Sequence, residues 1–121
     1  MDFKETQPIY MQIADWACEQ ILLDKWKPDE RAPSVRELGA LLEVNPNTAV
    51  RSYDFLQMKE ILVNKRGIGF FVATDAAEKI RVFRKERFFE EELPAIFKTM
   101  KLLGIEMEEI VEYGLIHKQI V

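Results

Sequence analysis

Residues 33–72 have the sequence PSVRELGALLEVNPNTAVRSYDFLQMKEILVNKRGIGFFV, in which two helix starts precede two β-prone runs. The first start is a capping box, because the Ser34 hydroxyl can accept a hydrogen bond from the Glu37 amide while the Glu37 carboxylate accepts one from Ser34. The second start is Asn45-Pro46, where asparagine can cap free amides and proline loses no hydrogen bond at the first helical position. The stretch therefore predicts two short helices joined by a tight turn.

The two β-prone runs, residues 61–64 and 70–72, flank the basic loop KRGIG at residues 65–69. The two glycines of this loop supply the backbone freedom that a hairpin tip needs. Residues just before Pro33 are expected to be extended, because a proline disfavours the helical conformation in its predecessor, and they can add a third short strand. Helix, turn, helix and hairpin, in this order, predict a mainly α (α+β) winged helix-turn-helix.

Helical spacing of apolar residues predicts which face of each helix is buried. The predicted buried residues are Ile9, Ile13, Trp16, Ala17, Gln20 and Ile21 in a helix before the motif, Val35, Leu38, Leu41 and Leu42 in the first motif helix, and Ala49, Ser52, Tyr53 and Leu56 in the second. The single Cys18 lies within the first of these helices, and a lone cysteine cannot form an internal disulfide. We expect a reduced, partly buried thiol.

The composition fits one compact domain with a small appendage, since the chain has 121 residues of which 48% are apolar. It contains no apolar run of the roughly 18 residues that a membrane helix requires, so a cytoplasmic protein is expected. The net charge of −4 would disfavour nucleic acid, but residues 44–73 contain four basic and two acidic side chains. Binding to phosphate depends on the charge that faces it, so a local excess of positive charge is compatible with a nucleic-acid partner.

The chain after Val72 is expected to be helical. A helix is predicted from about residue 74 to about Leu93, Pro94 breaks or restarts it, Gly104 ends it, and a last helix occupies about residues 106–117. These segments carry more apolar surface than a solvated tail exposes, which predicts a second subunit as the partner. The predicted dimer interface contains Phe88, Phe89, Leu93, Ile96, Phe97, Met100, Leu103 and Ile110. We therefore predict two domains, a DNA-binding domain at residues 1–73 and a dimerisation tail at residues 74–121.

Three blocks in the chain resemble the signature blocks of the GntR transcription regulators: PSVREL at residues 33–38, VNPNT at 44–48 and RGIGFFV at 66–72. The VNPNT block together with Tyr53 is most similar to the YtrA-like subfamily, and PIYMQI at residues 8–13 resembles the opening helix of the family. The resemblance implies a homodimeric, sequence-specific DNA-binding regulator, expected to be a repressor, that binds an inverted-repeat operator. It also implies dimerisation through the helical tail.

In such a regulator the helix that begins at Asn45 enters the major groove and the hairpin lies alongside. The residues implied to contact DNA are Arg36, Asn45, Pro46, Asn47, Thr48, Arg51, Lys65, Arg66 and Gly67. Arg51 has an alternative role, because it can pair with Asp54 or Asp15. Val50 departs from the family pattern, since many relatives carry a polar or basic residue there that reaches DNA.

Two other classes of function are open. Winged helices also serve as protein-binding domains, and the acidic net charge together with the apolar Val50 would suit such an interaction module. An enzyme would have to use the acidic run Glu90-Glu91-Glu92, but His117 is the only histidine and convergent metal ligands are lacking. We expect no enzyme activity, catalytic residue, metal or cofactor. Only 48 residues follow Ala73, so an effector, if one exists, is expected to act through the geometry of the tail.

Overall fold

A computed structural model of the chain describes residues 7–118, so the first six and last three residues of the two predicted domains lie outside the described range. The elements, in chain order, are helices α1 (Ile9–Leu22), α2 (Val35–Leu42) and α3 (Pro46–Met58), strands β1 (Leu62–Lys65) and β2 (Gly69–Val72), helix α4 (Ala76–Arg87), a π-helical turn (Phe88–Glu92), and helices α5 (Leu93–Leu103) and α6 (Met107–Ile116). This order confirms the predicted α+β winged helix-turn-helix.

The chain divides into two compact units, Met1–Val82 and Phe83–Val121. The first unit contains the winged helix and the start of α4, and the second contains the helices that follow. The predicted boundary after Ala73 is a functional one, because it separates a DNA-binding domain from a dimerisation tail. It stays a prediction.

The two helix starts of the motif form as predicted. The Glu37 amide donates to Ser34 Oγ at 3.1 Å and the Ser34 amide donates to the Glu37 carboxylate at 2.9 Å, which completes the capping box of α2. The Asn47 amide donates to Asn45 Oδ1 at 2.8 Å, and Pro46 is the first residue of α3. Between the helices, Glu43 ends α2 in the left-handed conformation with φ of 55°. The turn is therefore closed by local interactions at both of its ends.

The buried face of α3 is the one predicted, since Ala49, Ser52, Tyr53 and Leu56 are all fully buried. Helix α1 packs Ile13, Ala17 and Ile21 into the core as predicted, together with Ala14 and Cys18. Three other predictions on α1 need correction, because Ile9 is exposed and Trp16 and Gln20 are only half-buried. The additional burial of Ala14 and Cys18 shows that the face of α1 that meets the core is rotated from the one predicted by apolar spacing.

The apolar residues of α2 differ in burial, since Val35 and Leu42 are only half-buried and Ala40 and Leu41 are exposed. Leu38 is completely buried, but Leu41 is 61% exposed, so the predicted burial of Leu41 is wrong. Successive residues of an α-helix are about 100° apart, and the buried residues of α2 are Leu38 and Gly39. Leu41 lies on the other side of Leu38 from Gly39 and is turned away from the core.

Two side-chain hydrogen bonds attach α3 to its neighbours. The Ser52 hydroxyl donates to the backbone oxygen of Tyr10 in α1 at 2.7 Å. The Tyr53 hydroxyl donates to the backbone oxygen of Pro33, just before α2, at 2.6 Å. Burial raises the pKa of Tyr53 well above its ordinary value, so the hydroxyl remains a donor. Both bonds come from the buried face of α3 and leave its opposite face open.

The wing is an antiparallel hairpin in which Leu62 pairs with Val72 and Lys65 with Gly69. The chain before α2 adds the predicted third strand as a short bridge, since the Ala32 amide donates to the Phe70 carbonyl at 2.8 Å and the Val72 amide donates to the Glu30 carbonyl at 2.9 Å. The wing thus has a covered edge on the side of β2.

Helix α4 begins in the first unit, where Ala76 and Ile80 are fully buried. It ends at Arg87, earlier than the predicted end near Leu93, and the π-helical turn continues directly into α5. The cause is Pro94 in the first turn of α5. A proline lacks the amide for an α-helical bond, and its ring would collide with the carbonyl four residues earlier. The π-helical turn contains that carbonyl, and its wider backbone makes room for the ring without breaking the helix.

The second unit leaves most of its apolar side chains exposed within a single chain. Gly104 ends α5 with φ of 67°, as predicted, and Glu106 and Glu109 form a capping box at the start of α6. Among residues 83–118, Gly114 is the only buried residue. Of the eight residues predicted to form the dimer interface, six are exposed and two, Leu93 and Met100, are half-buried.

Within the described range, none of the helices has the length and apolar character needed to cross a membrane.

Candidate nucleic-acid interface

The first turn of α3 presents polar groups to solvent. Asn45, Pro46 and Asn47 are exposed and Thr48 is half-buried. Asn45 satisfies the Asn47 amide, but the start of an α-helix carries several backbone amides without intrahelical partners and a partial positive charge. Such a helix start attracts phosphate oxygens.

One turn further along, Arg51 is exposed and held by an aromatic ring. Its guanidinium carbon lies 4.2 Å from the centroid of the Tyr10 ring in α1. The sequence also allowed a local ion pair of Arg51 with Asp54 or Asp15, which stays a prediction. The ring supports one side of the planar guanidinium and leaves its N–H donors at the edge available to another molecule.

The wing carries a second group of basic side chains. The Lys65 ammonium lies 4.1 Å from the centroid of the Phe71 ring on the paired strand. Arg66 and Gly67 at the hairpin tip are exposed, and Gly67 has φ of 79°, a conformation that side chains rarely adopt.

Arg31 is a basic residue of this region that sequence reasoning missed. Its side chain lies against Gly69, where an added Cβ would approach the Arg31 Nε to 2.9 Å. Gly69 also has φ of 143°, a conformation that side chains rarely adopt, so the backbone favours glycine there, whereas the flexible Arg31 side chain could move to make room. The contact arises because Arg31 pairs with Phe71 in the third strand of the wing. The only signal in the sequence was a positive charge shortly before Pro33.

Arg36 lies exposed in the first turn of α2, beside the capping box. The backbone amide of Ser34 holds the pKa of Glu37 below its ordinary value of 4.5, and the Ser34 hydroxyl and the charge of Arg31 act in the same direction. The carboxylate that caps α2 is therefore ionised at neutral pH.

This lowered pKa predicts how the capping box responds to acid. The folded state binds the Glu37 proton more weakly than the unfolded state does, so the stabilisation is complete above 4.5 and is lost as the pH falls through the folded-state pKa. The difference in unfolding free energy between the protein and its Glu37→Gln variant should shrink across a pH series that passes below 4.5. Urea denaturation measures it, and a difference independent of pH would contradict the assignment.

The structure places all nine predicted DNA contacts in the first unit, and all but the half-buried Thr48 are exposed. They fall on three neighbouring parts of the motif: the first turn of α2, the first two turns of α3, and the wing. The structure adds Tyr10 and Phe71 as the rings that support two of the basic side chains. This arrangement does not show a contact with DNA, so the binding roles of the nine residues stay predictions.

A capped helix-turn-helix followed by a basic hairpin defines the class of the first unit, a winged-helix domain of the kind used by DNA-binding regulators of transcription. The model of the bacterial regulatory proteins of the gntR family matches residues 9–72, more than half of the chain. The chain therefore belongs to the GntR family of transcriptional regulators.

Similar proteins extend the match beyond the winged domain. The uncharacterised HTH-type transcriptional regulator YhcF of Bacillus subtilis is 36% identical over 91% of this chain and 89% of its own length. The HTH-type transcriptional repressor YtrA of the same organism is 31% identical over 93% and 86%, respectively. A crystal structure of a GntR-family protein from Bacteroides thetaiotaomicron superposes with a TM-score of 0.74 and 46% identity, and covers 93% of this chain and 99% of that one. These matches confirm the resemblance to GntR regulators of the YtrA-like type.

Proposed function

We propose that this GntR-family regulator binds an inverted-repeat operator as a homodimer and represses transcription. The observation that carries the proposal is the start of α3, which is exposed and polar on one side and bonded through Ser52 and Tyr53 to the rest of the domain on the other. A recognition helix needs both properties, because it must reach base edges while its position on the duplex stays fixed.

The basic side chains support binding next to the recognition helix. Arg36, Arg51, Lys65 and Arg66 are all exposed, and each can donate to phosphate oxygens or to base edges. In this proposal α3 occupies the major groove, while the wing tip contacts the backbone or the adjacent minor groove. The net charge of −4 repels DNA, so the attraction to phosphate must come from this local basic surface.

The second unit supports a homodimer. Its exposed side chains include Phe89 (62%), Phe97 (46%) and Leu103 (68%), which a protein in water covers where it can. A second copy of the chain provides an identical surface, and a two-fold axis presents two equivalent recognition helices. Each would read one half-site, with half-site centres roughly 10 base pairs or a small multiple apart.

Repression is proposed from the relative YtrA, which is named as a repressor and is 31% identical to this chain. A dimer bound across a promoter represses transcription because it occupies the DNA that the transcription machinery must bind. The proposed place of action is the cytoplasm, since a regulator of this family acts on DNA.

Selection of random duplexes by the purified protein, followed by salt titration, tests the function. We expect a shared inverted repeat and a steep linear fall of log affinity with log salt, because bound phosphates release counterions. A protein-interaction module is the rival function, suggested by the acidic net charge and Val50, and it predicts no such slope. Recovery of unpaired half-sites only would contradict the dimeric arrangement.

Removal of single arginines is expected to weaken DNA binding without unfolding the domain. In Arg36→Ala and Arg66→Ala, both at exposed positions, loss of a phosphate contact should lower the salt slope by about 1 per subunit. Arg81→Ala is the matched control, because Arg81 is exposed on α4, outside the predicted interface. Unchanged affinity in both test variants would favour the interaction module.

Tyr10→Leu should reduce DNA affinity about two- to fivefold, the effect expected from loss of an exposed cation–π contact. In this variant the Arg51 guanidinium lacks the aromatic ring whose centroid lies 4.2 Å from its carbon. The arginine side chain is then more mobile in the free protein, and its ordering on DNA costs free energy. Tyr10→Phe keeps the ring and is the control. The backbone bond from Ser52 to Tyr10 is available in both variants. Fluorescence anisotropy with the selected duplex measures the effect, and equal losses in the two variants would argue against the role of the ring.

A further inference from the structure

Val50 is an exposed apolar residue on the polar side of α3. It is 42% exposed, whereas Ala49 and Tyr53, which lie together on one side of it on the helix, are fully buried. The fold does not need Val50 for its core. A valine that remains in water on a helix surface has an apolar contact area available for another molecule.

The position of Val50 connects it to the proposed recognition surface. It lies one helical turn after Pro46 and Asn47 and directly before Arg51, all of which are exposed. Residues three and four apart on an α-helix are neighbours on one face. Val50 is therefore flanked, on the side away from the core, by Asn47 and Arg51, which the proposed function directs at the major groove, and by the exposed Asp54.

The chemical groups on the base edges indicate which base Val50 can contact. Valine can neither donate nor accept a hydrogen bond, and it would leave the polar atoms of guanine, adenine or cytosine without partners if it covered them. Thymine is the only base whose major-groove edge carries a methyl group. A β-branched side chain in a helix has one strongly preferred rotamer, so little side-chain freedom is lost when its methyl groups are placed against that edge.

We propose that Val50 determines part of the sequence specificity by contacting the C5-methyl group of a thymine in each half-site. The inference rests on the proposed binding of α3 in the major groove, and it adds the kind of base that this position reads.

Deoxyuridine differs from thymidine only by the absence of the C5-methyl group, so it isolates the proposed contact. The protein is titrated with its selected duplex and with duplexes in which one thymine at a time is replaced by uracil, at constant salt. At one thymine per half-site the affinity should fall roughly fourfold, the effect of one buried methyl-sized group. Val50→Ala should bind the original duplex more weakly and lose its sensitivity to that replacement.

Val82→Ala is the matched control, because Val82 is an exposed valine of a helix in the same unit. This variant should keep the original affinity and the original response to uracil. Selected duplexes whose affinity is unchanged by every uracil replacement would overturn the role of Val50, as would an equal response in Val50→Ala. A selection that returns no shared sequence would instead overturn the proposed function, so the two failures are distinguishable.

Discussion

A 121-residue chain that carries Ile96→Glu and Phe97→Glu is expected to sediment as a monomer and to bind its selected operator about 10²- to 10⁴-fold more weakly. The two side chains are 44% and 46% exposed on α5, and both belong to the predicted dimer interface. Burial of two carboxylates in an apolar contact without partners is strongly unfavourable. Binding to the second half-site would then no longer be intramolecular, and the loss of affinity corresponds to the loss of that linkage.

Lys98→Glu is the control, because it changes the net charge by the same amount on an exposed polar position of the same helix. This variant should remain dimeric. Sedimentation velocity gives the oligomeric state and fluorescence anisotropy gives the affinity. A double-glutamate variant that remained dimeric would place the interface in the winged unit, and a chain that lacks residues 93–121 provides an independent check because it should also be a monomer.

Leu38→Ala is expected to lower the free energy of unfolding by about 2–5 kcal/mol, the usual loss when a fully buried leucine is truncated and a cavity is left. Leu38 has no exposed surface and lies on the face of α2 that meets the core. Leu41→Ala makes the same chemical change three residues later, at a side chain that is 61% exposed. Its effect should be within about 0.5 kcal/mol, as for most surface substitutions.

Urea denaturation of both variants measures the difference in the free energy of unfolding. The pair tests the orientation of α2 directly, because apolar spacing alone assigned both leucines to the core. Equal losses in the two variants would show that α2 is rotated from the orientation described here. A large loss in Leu38→Ala alone would confirm it.

The starts of α2 and α3, the hairpin tip and the end of α5 could be predicted because their causes are local. The capping box joins Ser34 to Glu37, and the cap of α3 joins Asn45 to Asn47. Gly67 and Gly104 adopt positive φ at the hairpin tip and at the end of α5. Each of these signals acts within a few residues, so the sequence contains both of its partners side by side.

The family could also be predicted from sequence, because its three signature blocks coincide with these local features. Seven of the nine candidate binding residues lie in these blocks, and Arg51 and Lys65 lie between the second block and the third. The proposed contact of Val50 with thymine could not be predicted from these blocks, because only the exposure of Val50 on α3 indicates that it can meet another molecule.

The sequence by itself determined the order of the helices and the hairpin, the buried face of α3 and the class of protein. The tertiary structure alone decided that Leu41 lies outside the core, that Arg51 lies on the ring of Tyr10 and that Arg31 lies against Gly69. The physical reason is distance along the chain. Apolar spacing predicts that a helix has a buried face, but it does not predict which neighbouring element covers that face. Contacts between residues about 40 positions apart exist only after α1, α3 and the wing have packed.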